Sequence, residues 1–258
     1  MAMSLIKRAL VACIPDVMMT TPVPFGGRIR FRARVHKGFL VRRVTDYPNE
    51  RGIFRCYDEV LSPESIVFDV GANIGLHSVP LALRATRGQV VAFEPDADNV
   101  QLLRENLAQN GVSRRVRVEA KAVSDRAGKV EFWRDVVTSA TGTIAPSSGN
   151  SWFHQHTGRR PLKVEVEATT IDAFVAAHPE LAPSLVKIDV EGAEARVLDG
   201  MEVTARTHRP DIIIDGTPRR CAERLLEWGY RLTEVRTRTP VLDVRDDLPS
   251  TIFATRQR

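Results

Sequence analysis

The sequence predicts an α/β fold, a doubly wound sheet of seven strands with helices on both faces, preceded by an N-terminal extension. Three observations carry this. Apolar runs at 65–70, 89–93, 185–190 and 211–215 have the length and β-branched content of strands buried on both sides. Stretches of helical period separate them. The glycine turn Gly71-Ala-Asn-Ile-Gly75 directly follows the first run, which is where open α/β sheets hold a nucleoside.

Residues 1–60 read as the extension, with a short amphipathic helix near 4–14, a basic hairpin and a linking helix. In the hairpin Arg28, Arg30, Arg32 and Arg34 alternate with Ile29, Phe31, Ala33 and Val35, so a strand would carry all four guanidinium groups on one face. That face reads as a solvated edge, or as a docking surface for a membrane or an acidic carrier. Residues 61–258 form the main domain. Its first helix, 74–85, is expected to be kinked or displaced near Pro80, which cannot supply an interior amide. Asp96 caps a helix with an inward stripe of Val100, Leu103 and Leu107, closed by Asn110-Gly111. Strands follow at 116–122, 129–133 and 164–166, with helices at 170–177, 193–198 and 219–228 and closing strands at 230–235 and 250–255. The stretch 138–158, rich in Ser, Thr and Gly and carrying Trp152, Phe153, His154 and His156, reads as a long inserted loop.

A chain of 258 residues can bury a sizeable core. Its net charge of +5 leaves a polyanion partner open. Aromatic residues are too sparse along the hairpin for a single-stranded nucleic-acid platform, so nucleic acid is disfavoured. Cys13, Cys56 and Cys221 are scattered and odd in number, which suits a reducing, cytoplasmic setting and suggests neither a disulfide framework nor a zinc site. There is no apolar run of membrane-spanning length, and the N-terminus lacks a cleavage site typical of a signal peptide. Nothing in the sequence opposes a homo-oligomer.

The turn narrows the choice of nucleotide. A dinucleotide fingerprint needs a glycine where this chain has Asn73, because the pyrophosphate must approach the backbone there. No phosphate-binding Gly-x-x-x-x-Gly-Lys motif occurs either. Asp69 and Asn73 instead flank an opening for a small group rich in donors, and Glu94 at the end of the second strand suits the two hydroxyls of a ribose. A nucleoside with a cationic, amino-acid-like tail matches, and S-adenosylmethionine is such a molecule.

Four segments then combine in order: Asp69-Val-Gly-Ala-Asn-Ile-Gly75, Ala92-Phe-Glu-Pro95, Lys121-Ala-Val-Ser-Asp125 with Gly128, and Val186-Lys-Ile-Asp-Val-Glu-Gly-Ala-Glu194 with Gly200. Together they resemble the FkbM-type family of S-adenosylmethionine-dependent methyltransferases, over roughly residues 57–215. The resemblance implies a class I methyltransferase (Rossmann-like) sheet, parallel except for one reversed strand near the C-terminus. It also implies O-methylation of hydroxyls on sugars, glycans, glycolipids or polyketides. By carry-over Asp69, Gly71, Asn73 and Gly75 belong to the methionine end, Glu94 to the ribose, and Ala122, Val123 and Asp125 to the adenine edge, with Asp189 beside the cofactor. Asp215-Gly-Thr-Pro218 departs from the family, where a glutamate is more usual.

An alcohol is a weak nucleophile, so a base or a metal must help remove its proton. The candidates are Asp189, Glu191, His77 and His154. Asp189 and Glu191 stand at the C-terminal edge of a central strand, the usual place for chemistry in such sheets. Read blandly, the same two acids stabilise a helix N-terminus, and His154 is a solvated loop histidine. Two carboxylates without a third ligand do not make a magnesium site, so no metal is expected. The strand end Asp189-Val-Glu191 lacks the Pro-Pro-aromatic pattern of base-amine methyltransferases, which favours oxygen as acceptor. RNA ribose 2′-O-methylation and a non-catalytic module that binds S-adenosylmethionine are the competing readings.

Overall fold

The computed structural model describes residues 17–33, 35–36, 43–134, 142–145, 161–216, 218–244 and 248–256. The expected helix near 4–14, Arg34, His154, His156, Trp152 and Phe153 lie outside the described residues. The main sheet has seven strands. Its strands are β3 (Ile66–Val70), β4 (Gln89–Phe93), β5 (Val116–Glu119), β9 (Leu185–Ile188), β10 (Asp211–Asp215), β11 (Tyr230–Glu234) and β12 (Thr251–Arg256). They run in the order β5-β4-β3-β9-β10-β12-β11. The pairs from β5 to β10 are parallel, and β12 is antiparallel to both β10 and β11. This is the α/β sheet of seven strands that the sequence predicts, with the one reversed C-terminal strand that the resemblance implies.

The central strands are apolar on both faces because both faces are covered. Alternate residues divide between two cores. Val67, Val90, Ala92, Leu185 and Ile213 point to one side. Phe68, Val70, Val91, Phe93, Val186, Ile188, Ile212 and Ile214 point to the other. Helices α1 (Pro48–Val60), α2 (Ser78–Arg84) and α3 (Ala97–Gln109) supply the first core, and α4 (Ile171–Ala177), α5 (Glu194–Asp199), α6 (Glu202–Thr207) and α7 (Arg219–Glu227) the second.

Local chemistry places the helices. Asp96 accepts from the amides of Asp98 and Asn99 and starts α3, and Thr170 accepts from Ala173 and starts α4. Of the kink or displacement expected near Pro80, the structure shows the displacement. The chain from Ile74 to His77 is a turn, α2 begins at Ser78, and the proline falls in the first helical turn, where no intrahelical amide is needed. The strand expected at 116–122 is also divided. Its end, β6 (Ala122–Val123), pairs with β8 (Leu162–Thr169), which pairs with β7 (Gly128–Arg134) in a separate three-stranded sheet.

The basic hairpin forms as β1 (Met18–Pro22) and β2 (Arg28–Arg32), in antiparallel register. Ile29 and Phe31 are buried in the first core beside Ile53, Phe54 and Tyr57 of α1, so hairpin, α1 and sheet share one apolar interior. The opposite face carries Arg28, Arg30 and Arg32, of which Arg30 is ion-paired to Glu105 on α3. Two asparagines on α3 finish the edge of β2 as a neighbouring strand would. Asn106 accepts from the Arg30 amide at 2.7 Å and donates to the Arg30 carbonyl at 3.1 Å. Asn110 does the same for Arg28 at 2.8 and 2.6 Å. Asn106 also donates to the Ile74 carbonyl at 2.8 Å, tying the hairpin to the glycine turn.

Because Asn106 is fully buried, truncating it strands paired groups without water. Asn106→Ala is expected to lower unfolding stability by about 1–3 kcal/mol in urea titrations, and more than Asn110→Ala at the exposed end of the helix.

Candidate active site

The C-terminal ends of β3, β4 and β9 open into one solvent-open cavity, about 660 Å³ when the solvent at its mouth is included. Such a crevice outside the carboxyl ends of parallel strands is where this class of sheet takes its ligand. Three turns shape it. Gly71 leaves β3 at φ +83, and a Cβ there would lie 1.9 Å from the Asp189 carbonyl oxygen, so only glycine lets the two strand ends approach. The amides of Gly71 and Ala72 donate to the Phe93 carbonyl at 3.0 and 2.9 Å. Asn73 follows at φ +49, a left-handed conformation that asparagine tolerates, and its side chain accepts from the Ile74 amide.

Glu94 leaves β4 and lines the cavity. One carboxyl oxygen accepts from the Asn73 amide at 2.9 Å, and the other from the Asp96 amide at 2.9 Å and the Asn99 side chain at 3.4 Å. Burial pushes this carboxyl up to about 7, against the opposing pull of those donors. Of the about four acceptor sites of an ionised carboxylate, these bonds use one on Oε2 and two on Oε1, so Oε2 can take one ligand hydroxyl directly and Oε1 a second in place of the long Asn99 contact. Part of the wall is apolar, with Val70, Phe93, Ala122, Val123, Phe132 and Ile144, which suits an aromatic base. Gly142 lies flat on Phe132, since a Cβ there would sit 2.4 Å from the ring. Arg134 of β7 reaches back to Asp96 at 2.5 Å and also pairs with Asp98, tying the small sheet to the start of α3.

Asp189 and Glu191 occupy the same cavity at the end of β9. Asp189 is anchored by its amide, which donates to the Val70 carbonyl at 3.0 Å, and by Lys187 Nζ, 3.2 Å from Oδ2. Glu191 sits at φ +56, an uncommon conformation for a residue with a side chain, of the kind that gathers at functional sites. Its surface reaches solvent, yet the surrounding protein, followed by the negative charges of Asp189, Glu194 and Asp215, raises its carboxyl to about 8. Asp215, at the end of β10, is likewise raised by burial and then by Asp189, and accepts from Thr251 Oγ1 at 2.5 Å.

Other predicted residues lie away from the cavity wall. Asp69 is fully buried beneath it, accepting from Ser78 Oγ at 2.6 Å and facing Lys187 Nζ at 3.6 Å. The flanking position expected of Asp69 is corrected accordingly, because the carboxylate is consumed inside the sheet. His77 does not reach the cavity. It is buried against Phe54, with Nδ1 3.1 Å from the Tyr57 hydroxyl and Nε2 3.3 Å from Glu50, so its ring is held by α1. Gly75 turns the chain at φ +94 against Leu103, and exposed Asp125 is engaged by Ser124 Oγ at 2.8 Å; neither lines the cavity. His154 is outside the described residues. Among the described residues no group of three or more His, Cys, Asp or Glu side chains is placed to hold a metal ion.

Contributors that escape the sequence reading as site residues include Lys187, Asn99, Phe132 and Glu50. Lys187 was the most legible of them, since a lysine between Val186 and Ile188 in a buried strand must have partners. Glu50 is brought in by α1. Burial pushes its carboxyl up, but His77 and Lys187 more than offset this and hold it below the usual range.

A family model described as the methyltransferase FkbM domain matches residues 69–232. The 31-O-demethyl-FK506 methyltransferase FkbM of Streptomyces tacrolimicus is 31% identical over 213 residues, covering 72% of this chain and 77% of that protein. The hexuronic acid methyltransferase AglP of Haloferax volcanii is 30% identical over 164 residues, covering 62% of this chain and 59% of its own length. This chain thus spans about three fifths of that relative. Among solved structures, an FkbM methyltransferase from Methylobacillus flagellatus aligns with a TM-score of 0.48 and 17% identity, over 81% of this chain and 53% of that one. With a family match across most of the sheet and the relatives above, the chain belongs to the FkbM methyltransferase family.

Proposed function

We propose that this chain transfers a methyl group from S-adenosylmethionine to a hydroxyl of a sugar, glycan, glycolipid or polyketide-type acceptor. The observation that carries the reading is the placement of Glu94 and the Asp189–Glu191 strand end on one cavity. A carboxylate that can take two hydroxyls stands in the same space as carboxylates that can take the acceptor's proton. When bound, the cofactor supplies an electrophilic methyl on a sulfonium.

In this reading Glu94 holds the ribose and the apolar wall from Ala122 to Ile144 takes the adenine. Asn73 and Gly71 shape the methionine end. Asp189 orients the acceptor hydroxyl and receives its proton, with Oδ2 held by Lys187 and Oδ1 left for the acceptor. Glu191 is the second acid beside it. Most of the gain comes from alignment, since in-line displacement rewards a fixed angle and distance. Burial and neighbouring carboxyls raise Glu191 and Asp215, so the ends of β9 and β10 resist further negative charge and favour uncharged acceptors over carboxylates. Acceptor identity follows from that chemistry only as a class.

Asp189→Asn keeps the shape and removes the base, so kcat is expected to fall on the order of 10²–10⁴-fold in assays with labelled cofactor across a panel of hydroxyl acceptors. Full activity in that variant would remove Asp189 from the mechanism. Cofactor affinity should depend on pH through Glu94. Its carboxyl is protonated below about 7, and the ionised form is the stronger acceptor, so Kd is expected to fall as pH rises from 6 to 8, with proton release on binding. Calorimetry on Glu94→Gln should give weaker binding and a flat profile over the same range; wild-type-like affinity would reject the ribose assignment.

A further inference from the structure

We infer that Lys187 is a positioning residue for methyl transfer, acting through Asp189. The inference rests on the proposed function for the reaction and on the geometry of the sheet for the residue. Lys187 is 2% exposed and lies mid-strand in β9, opposite Asp69 of β3 on one side and Ile213 of β10 on the other. Lining no part of the cavity, it cannot touch a ligand there itself.

Its ammonium joins two carboxylates of different character. Asp69 has no solvent exposure, takes its hydrogen bond from Ser78, and meets Lys187 only as a charge at 3.6 Å. Asp189 is 35% exposed, lines the cavity, and takes the ammonium's hydrogen bond at 3.2 Å. Asp69 is therefore the counter-charge that lets a lysine stay inside the sheet, and Asp189 is the group the lysine steers. Burial alone would pull the ammonium down, but Asp189, Asp69 and Glu50 together hold it above its usual range, so it remains a cation throughout the working pH. A buried ion pair is weak ground for stability, because apolar residues of similar volume do as well. Fixing one oxygen of a cavity carboxylate is something apolar residues cannot do.

The test uses the full chain with three variants. Lys187→Gln is expected to lower kcat on the order of 10²-fold while Kd for S-adenosylmethionine stays within about threefold, the split expected of misplacement at the reacting end. Asp189→Asn and the double variant should then share the same kcat, because removing the steered group leaves Lys187 nothing to steer. Unchanged kcat in Lys187→Gln, or losses that multiply in the double variant, overturn the proposal. If Lys187→Gln does not fold, Lys187→Met combined with Asp69→Asn removes both buried charges together and carries the same comparison. A readout without turnover is the Lys187 ammonium signal in ¹⁵N NMR of the cofactor-free protein. It should be slow to exchange with water and shift in Asp189→Asn, and a signal indifferent to that change overturns the pairing. A wild type that methylates no acceptor overturns the proposed function alone, and the ammonium signal still decides the pairing.

Discussion

One cation in the middle of an apolar sheet organises the site. Strands β3, β9 and β10 are covered on both faces, so most side chains along them are committed to a core. Lys187 and Asp69 are buried charges among them, and the lysine is tolerable because carboxylates stand at hydrogen-bonding or charge-pairing distance. Its presence lets Asp69 be buried without solvent and places Asp189 at the rim. Ser78 and the start of α2 are tied to the same chain of contacts through Asp69.

The N-terminal extension is bound to this centre as well. Glu50 and Tyr57 on α1 hold the two nitrogens of His77, and Asn49 donates at 3.0 Å to Thr251, whose hydroxyl donates to Asp215. The helix thus meets the site from the side of β10 and β12, while the matched family region begins only at residue 69. Tyr57, pushed well above its usual pKa by burial and then by the charges of Asp69 and Glu50, stays a neutral hydroxyl able to donate or accept. The hairpin meets the site from the other side, through Asn106 and the carbonyl of Ile74.

Strand periodicity made the sheet legible, since runs apolar on both faces have few other uses. The cap at Asp96 was legible for a local reason, a side-chain oxygen two or three residues ahead of an orphan amide. Glu94 was legible because an acid ending a buried strand is costly without a ligand or donors. Tertiary placement was not. Asp69 and Asp189 look equivalent as strand-end acids, yet Asp69 lies two residues deeper in register, opposite Lys187, and does not reach the cavity. His77 follows the glycine turn closely, but its direction was set by α1, whose packing no local pattern reveals. The break between β5 and β6 depends on β8, more than forty residues away in sequence, as its pairing of Ala122 with Ala168 makes plain.

Whether one cavity holds the nucleoside by Glu94 and directs its methyl toward Asp189 is decided by a crystal structure with S-adenosylhomocysteine bound. Both ribose hydroxyls are expected within hydrogen-bonding distance of Glu94, adenine against Val123 and Phe132, and the sulfur facing the Asp189 carboxylate. A nucleoside bound elsewhere, or one whose sulfur faces away from Asp189 with Glu94 unengaged, would contradict this placement.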